Sequence, residues 1–216
     1  TNESIQLQGY LTGTLTDFEV DELKMTALSD LRIDGSVKLR NVVGDLENFY
    51  IEGDFYQVLL SNADLKKILP NILGSQLPKE LDRLGTVSAS GYASVDRNTV
   101  VTRLSGGTRL GSYGTDLKLT EIRSERIGYD GAIKTNGFDI GAIAKMEDLG
   151  KISVNLNVKG RGFDPENARL SLNGKITRLD YGGYNYKNII VNGDLRKPVF
   201  NGKLEIDDPN LQMSFD

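Results

Sequence analysis

The chain of 216 residues has no cysteine, no histidine and no tryptophan, and only five prolines. Without histidine it has no Ser-His-Asp triad and no His-ligated metal site. The lack of cysteine says little about the compartment, because an exported protein can fold without disulfides. The sequence also contains no run of about 18 apolar residues that could span a bilayer as a helix. These absences remove the most familiar catalytic chemistries.

The charges are mixed along the chain, with 26 basic and 30 acidic residues and a formal net charge of -4. A nucleic-acid partner needs a basic stripe to neutralise its phosphates, and the sequence shows none. Asp207-Asp208 precedes Pro209, which favours a turn over a catalytic carboxylate pair. Gly106-Gly107 lacks the strand-then-helix context of a phosphate loop. We therefore predict that the chain is not an enzyme, and nothing in it implies a cofactor.

Alternating apolar residues and 24 glycines are what the chain has in quantity. In residues 152–159 apolar and polar side chains alternate without a break, the period-two pattern of a strand with one apolar and one polar face. The alternation recurs along most of the chain, between short polar turns that predict antiparallel neighbours. Glycines within these segments indicate kinks and bulges in a curved sheet. We predict an all-β fold of about fourteen strands, a long antiparallel curved sheet rolled into an open groove with an apolar interior.

A few short helices interrupt the strands. Apolar residues at 65, 68, 69, 72 and 73 predict a helix over 62–73 with Asn62 or Asp64 as its N-cap, and Pro70 is expected to kink or end it. A helical turn is predicted over 78–84 and a third helix over 138–147, capped by Asp139. Each helix has an apolar stripe only one face wide. We expect the helices to lie against the sheet or its rim and not to form a bundle.

The chain shows a weak internal repeat. Residues 84–89 (LGTVSA) are similar to residues 149–154 (LGKISV), and each stretch leads from a short helix into an alternating strand. This similarity predicts repeat units of about 30–135 and 136–216 within one continuous segment, 1–216. Because the chain has no initiating Met and Asp216 directly follows a strand, we expect it to be a segment of a longer protein.

Several stretches resemble one known family. They are residues 137–141 (GFDIG), 149–164 (LGKISVNLNVKGRGFD), 179–189 (LDYGGYNYKNI) and 200–211 (FNGKLEIDDPNL). Together they resemble TamB-like proteins of the AsmA-like superfamily, most clearly over 137–216 and more weakly from 30 to 105. These are strand and turn motifs, and they carry no catalytic residue.

The resemblance implies an interior segment of a long periplasmic protein, anchored in the inner membrane by a segment that this chain lacks. It implies a groove that carries phospholipid between the inner and outer membranes. Its partners would be phospholipid acyl chains, neighbouring segments of the same long chain and an Omp85-type barrel, the last through parts outside this chain. Acyl chains need apolar contact and no hydrogen bonds, which the alternating residues supply. The residues expected to line the groove are Leu31, Ile33, Val37, Leu39, Ile51, Phe55, Val87, Val95, Leu117, Leu119, Ile133, Ile152, Val154, Leu156, Val158, Leu170, Leu172, Ile189, Val191, Leu204, Ile206, Leu211, Met213 and Phe215.

Two other functions stay open at this point. Exposed sheet edges could bind incoming β-strands in outer-membrane protein assembly. A glycan-binding adhesin could use the tyrosines of residues 181–186 to stack on sugars, although a hairpin with aromatic cross-strand pairs explains the same residues.

Overall fold

The computed structural model describes residues 5–73, 79–124, 126–163, 169–196 and 199–216. These residues form fourteen β-strands, two short α-helices and one 3-10 helix, Lys79–Arg83. The α-helices are α1, Asn62–Leu73, and α2, Ile140–Ala144. The strands are β1 Gln6–Gly13, β2 Asp17–Ala27, β3 Leu31–Arg40, β4 Tyr50–Leu60, β5 Val87–Asp96, β6 Thr99–Thr108, β7 Gly111–Thr120, β8 Gly128–Asp139, β9 Leu149–Arg161, β10 Arg169–Tyr181, β11 Tyr184–Tyr186, β12 Ile189–Arg196, β13 Val199–Asp208 and β14 Leu211–Phe215.

All fourteen strands belong to one open antiparallel sheet. From β1 to β10 each strand pairs with the next strand of the chain, and β12, β13 and β14 continue the order, while β11 pairs only with the end of β10. The short connections therefore give antiparallel neighbours, and the predicted all-β curved sheet is confirmed. Thirteen strands in line, at about 4.8 Å per step, give a sheet of roughly 58 Å across its strands.

Five β-bulges among the described strands break the simple alternation, one of them in β9, where Leu149 and Ile152 are opposite Tyr181 and Leu179. In β2 the register moves three residues, from Val20 to Leu23, while β3 moves two. Similar shifts follow Phe55 in β4, Thr135 in β8 and Ile176 in β10. An extra residue in one strand bends it and increases its twist. It also switches the parity of the residues that point to a given face, so apolar residues on both sides of a bulge stay on the same face.

Two glycines that flank β9 show how neighbouring strands approach closely. Gly131 on β8 and Gly174 on β10 have φ of +143° and +147°, which side chains other than glycine rarely adopt. A Cβ at Gly131 would collide with the carbonyl oxygen of Asp116, and one at Gly174 with that of Asn155. Glycine at these positions therefore permits the curvature of the central strands.

The helices all begin at one edge of the sheet. α1 and the 3-10 helix connect β4 to β5, and α2 connects β8 to β9, four strands further along. As predicted, Asp139 caps α2, its carboxylate accepting a hydrogen bond of 2.9 Å from the Ala142 N–H. The helix is shorter than the predicted 138–147, because β8 pairs with β9 as far as Asp139. The helical connections between β4 and β5 and between β8 and β9 both begin at this edge. The boundaries of the two repeat units stay a prediction.

The predicted bounds of α1, 62–73, are confirmed, but the predicted N-cap, Asn62 or Asp64, was wrong. Ser61 is the N-cap, since its Oγ accepts a hydrogen bond of 3.2 Å from the Asp64 N–H and donates one of 2.8 Å to the Asp64 carboxylate. Pro70 does not end the helix, which continues to Leu73. Proline removes one N–H donor there, a small loss so close to the helix C-terminus. Residue 78, the expected start of the next helical turn, lies outside the described residues.

Candidate functional site

The register of the sheet shows which residues share a face. Residues directly opposite each other on paired strands point to the same side. Leu156 on β9 is opposite Ile133 on β8 and Gly174 on β10. Following such pairs from β1 to β14 places all the residues that we expected to line a groove on one face. We call this side the apolar face and the opposite side the polar face.

The same face holds further large apolar residues that the sequence analysis did not include. Several lie beyond a bulge, where a fixed period of two assigns them to the wrong side. The signal that could have found them is a change of parity within one apolar segment, as between Val20 and Leu23. The additional residues are Leu7, Leu11, Phe18, Val20, Leu23, Met25, Val58, Leu60, Val100, Leu104, Tyr113, Tyr129, Phe138, Ile176, Leu179, Leu195 and Phe200.

The apolar face carries almost no charge. Among the strand residues that the structure describes, Asp208 is its only Asp, Glu, Lys or Arg, at the last position of β13. Asp208 is 1% exposed, and it accepts hydrogen bonds from the Tyr184 hydroxyl at 2.6 Å and from the N–H groups of Lys187 and Asn210. The bond from Tyr184, followed by that from Asn210, lowers the pKa of this carboxyl below its ordinary value. As predicted, Asp208 lies at the end of a strand before a turn. Its carboxylate accepts three hydrogen bonds there.

The apolar face is not sealed. The accessible surface of the chain is 13376 Å², whereas a compact protein of 23.8 kDa has about 9,900 Å². On the edge strands the apolar side chains are largely exposed, Leu7 at 61% and Phe215 at 51%. Nearer the middle Val158 and Val191 are buried. The apolar face is therefore buried in its middle strands and accessible to water at the edge strands.

One helix lies on this face. α1 begins where β4 ends, at the level of the pair Leu60 and Val87. Near its other end Ile72 packs against a core cluster of Val100, Ile122 and Ile127, which Val95 and Leu119 also contact. Val95 lies toward the opposite end of β5 from Val87. α1 therefore crosses the apolar face from one edge toward the other and covers part of β4–β7.

A carboxylate holds the start of α1 in place. Asp64 is fully buried and accepts hydrogen bonds from the N–H groups of Ser29 and Asp30, at 3.1 and 3.0 Å, in the turn between β2 and β3. Burial by itself would raise the pKa of Asp64, but the bonds from Ser61, Ser29 and Asp30 outweigh it and lower the pKa. The ionised carboxylate thus ties α1 to the neighbouring part of the sheet.

The tyrosines of the third hypothesis form a hairpin. Tyr181 on β10 is opposite Tyr184 on β11, across a turn of Gly182 and Gly183. The rings of Tyr184 and Tyr186 meet edge to face, with centroids 4.7 Å apart. The predicted hairpin is therefore confirmed, although this ring contact joins two residues of the same strand and not a pair across strands.

A second aromatic cluster lies on the polar face. The hydroxyls of Tyr50 and Tyr92 both donate to Glu52, at 2.9 and 3.1 Å. The hydrogen bond with Tyr92, with burial next, raises the pKa of Tyr50 to about 12. The Arg103 guanidinium lies 4.7 Å from the centroid of the Tyr92 ring. Because the guanidinium lies over the Tyr92 ring, that ring is not free to stack on a sugar. The cluster instead connects neighbouring strands.

No protein-family model, curated protein or solved structure matches this chain. Within the described part of the chain, no group of three or more acidic residues is placed to hold a metal ion. The helices found there are all too short or too polar to cross a bilayer.

Proposed function

We propose that this chain is a lipid-transfer segment of the Gram-negative periplasm, and that its apolar face holds phospholipid acyl chains between the inner and outer membranes. One observation carries the proposal: among the described strand residues, the apolar face continues across thirteen strands with a single charged group, the hydrogen-bonded carboxylate of Asp208. An acyl chain gains free energy from leaving water along such a face, by about 25 cal/mol per Å² of buried apolar surface. The resemblance to TamB-like proteins implies the same function.

The open edges of the face suit this role. A closed core would leave no room for an acyl chain, but here the large apolar side chains of β1 and β14 are accessible to water. Headgroups could remain hydrated while the chains lie on the face. Such binding needs shape and apolar area and few directional contacts, which accounts for the absence of a sequence motif for it.

Photocrosslinking at two adjacent residues tests the proposal. Benzoylphenylalanine in place of Leu156 presents its ketone on the apolar face, whereas in place of Asn157 it presents it on the polar face. We expect illumination of protein purified from the periplasm to attach phospholipid at position 156 and not at position 157, as read by mass spectrometry of the intact chain. Equal labelling at both positions, or none, would contradict the proposal.

A second candidate function is strand binding during outer-membrane protein assembly. It is favoured by β1, whose residues are all exposed and which pairs only with β2 among the described strands. In that case benzoylphenylalanine in place of Thr12, on β1, should crosslink to protein. The adhesin hypothesis has no comparable support, since Tyr184 and Tyr186 pack on each other.

A further inference from the structure

Three arginines stand side by side at the edge of the sheet where β9 ends. Arg161 on β9 is directly opposite Arg169 on β10. Arg196 on β12 follows Leu195, which is opposite Leu170, so it takes the next place in the same transverse row. The three side chains belong to the polar face, on strands about 4.8 Å apart.

The positive charge of this row is only partly compensated. Arg161 forms a two-pronged ion pair with Glu121, with N–O distances of 2.7 and 3.1 Å. In the described part of the chain no ion pair or hydrogen bond reaches the guanidinium of Arg169 or Arg196, and both residues are exposed. Like charges directly opposite each other on paired strands repel. An anion bound between the two arginines would remove that repulsion.

The row borders the apolar face. Next to the arginines in sequence are Gly160, Leu170 and Leu195, which form a row on the apolar side together with Phe200. Leu195 is 37% exposed. At this edge apolar side chains on one face and arginines on the other are therefore neighbours. At the opposite end of β10 Arg178 forms an ion pair of 2.7 Å with Asp180, whereas Arg169 has no such partner among the described residues.

We propose that Arg169 and Arg196, together with Arg161, bind the phosphate of a glycerophospholipid headgroup whose acyl chains lie on the apolar face. The proposal rests on the proposed function and adds the position of the headgroup to it. The headgroups lie at this edge of the sheet and not at the edge where the helices begin. The guanidinium group suits the role, because its planar fork donates two parallel hydrogen bonds to phosphate oxygens.

The test compares three lipids with identical dioleoyl chains, namely phosphatidylglycerol, phosphatidylcholine and diacylglycerol, which lacks phosphate. Protein freed of lipid is incubated with equal amounts of all three in mixed micelles, and the bound species are counted by native mass spectrometry. The variant is Arg169→Gln with Arg196→Gln. The matched control is Lys175→Gln, an exposed cation on the polar face of the same strand, away from this edge.

We expect the wild-type protein and the Lys175→Gln control to prefer both phosphate-bearing lipids over diacylglycerol. An exposed ion pair contributes at most about fivefold in affinity, so the double variant should lose up to about thirtyfold of that preference while its diacylglycerol binding stays unchanged. Equal binding of the three lipids by the wild type, or an unchanged preference in the double variant, would overturn the headgroup site and leave the proposed function standing. Binding of none of the three lipids would overturn the proposed function, and this inference with it.

Discussion

At the scale of residues, the shape of the apolar face depends on which side chains stand opposite each other. Leu156 faces Gly174, and Phe200 lies beside Gly193, where an added Cβ would come within 2.7 Å of the phenyl ring. A glycine opposite or beside a large residue leaves space for that side chain. It also gives the strand a position where it can bend. The face is therefore uneven, with deep positions at the glycines.

The substitution Leu156→Asp distinguishes an open face from a closed core. A carboxylate at a sealed position would be buried without a partner and should cost several kcal/mol, enough to unfold the domain. On an open face water reaches the carboxylate, and we expect a loss of about 1–2 kcal/mol with the fold retained. Denaturant unfolding followed by circular dichroism measures this loss.

The same variant should lose its bound lipid, because a charge repels the acyl chain at that position. Asn157→Asp is the matched control, since it places the same charge one residue away on the polar face, and it should retain both stability and lipid. A Leu156→Asp protein that unfolds near wild-type conditions and carries normal lipid would show that this position does not line a lipid path.

At the scale of elements, α1 decides how much of the apolar face is accessible. The helix covers part of β4–β7 through Ile72 and is held at its start by Asp64. At the edge where α1 begins, Arg83 of the 3-10 helix donates a hydrogen bond to the carbonyl oxygen of Ile143 in α2, and so joins two inserts that are four strands apart. Covered and open parts of one face thus coexist in the sheet.

We expect Asp64→Asn to loosen α1 without unfolding the sheet. Asparagine has only one acceptor oxygen and no charge, so the part-buried N–H groups of Ser29 and Asp30 lose a charged acceptor, at a cost of about 1–3 kcal/mol. Amide hydrogen exchange should speed up in α1 and hardly change in β9 and β10. Asp30→Asn, an exposed carboxylate of the same turn, is the control and should leave exchange in α1 unchanged.

Acid should have the same effect in the wild type. The pKa of Asp64 is lowered in the folded state, so its stabilisation is complete above the ordinary value of 3.8 and is lost as the pH falls from there through the folded pKa. Exchange in α1 that stays slow below that range, or that speeds up equally in β9, would refute the role of Asp64 as a local anchor.

At the scale of the whole molecule, the sheet presents two strands that pair on one side only among the described residues, β1 and β14. Neither contains a charged residue or a proline, the usual protections of an exposed edge. Unpaired N–H and C=O groups along such edges template pairing with another chain.

We therefore expect concentration-dependent self-association of this chain, measured by sedimentation velocity. Leu7→Lys with Leu11→Lys puts charges on the edge strand and should shift the protein toward the monomer. Gln57→Lys with Asn201→Lys adds the same charge on the polar face of interior strands and should not. A wild-type protein that remains monomeric at millimolar concentration would contradict the expectation.

The sequence by itself determined the class of fold and most of the apolar face. Alternation at Ile152, Val154, Leu156 and Val158 is a local property, since a strand with one apolar face needs every second residue to be apolar. The short connections then left antiparallel hairpins as the only arrangement that the chain can reach. The cap of α2 by Asp139 is equally local, because the bond spans three residues.

Only the tertiary structure decided what depends on pairing between distant residues. The bulge between Val20 and Leu23 becomes visible once β3 fixes the register, because one extra residue changes parity without changing composition. The packing of Ile72 on Val100 joins two elements that no periodicity connects. The sequence shows no basic stripe, yet the sheet brings Arg161, Arg169 and Arg196 into one row. Patterns along a chain encode which face a residue prefers, whereas the register of neighbouring strands decides which residues meet.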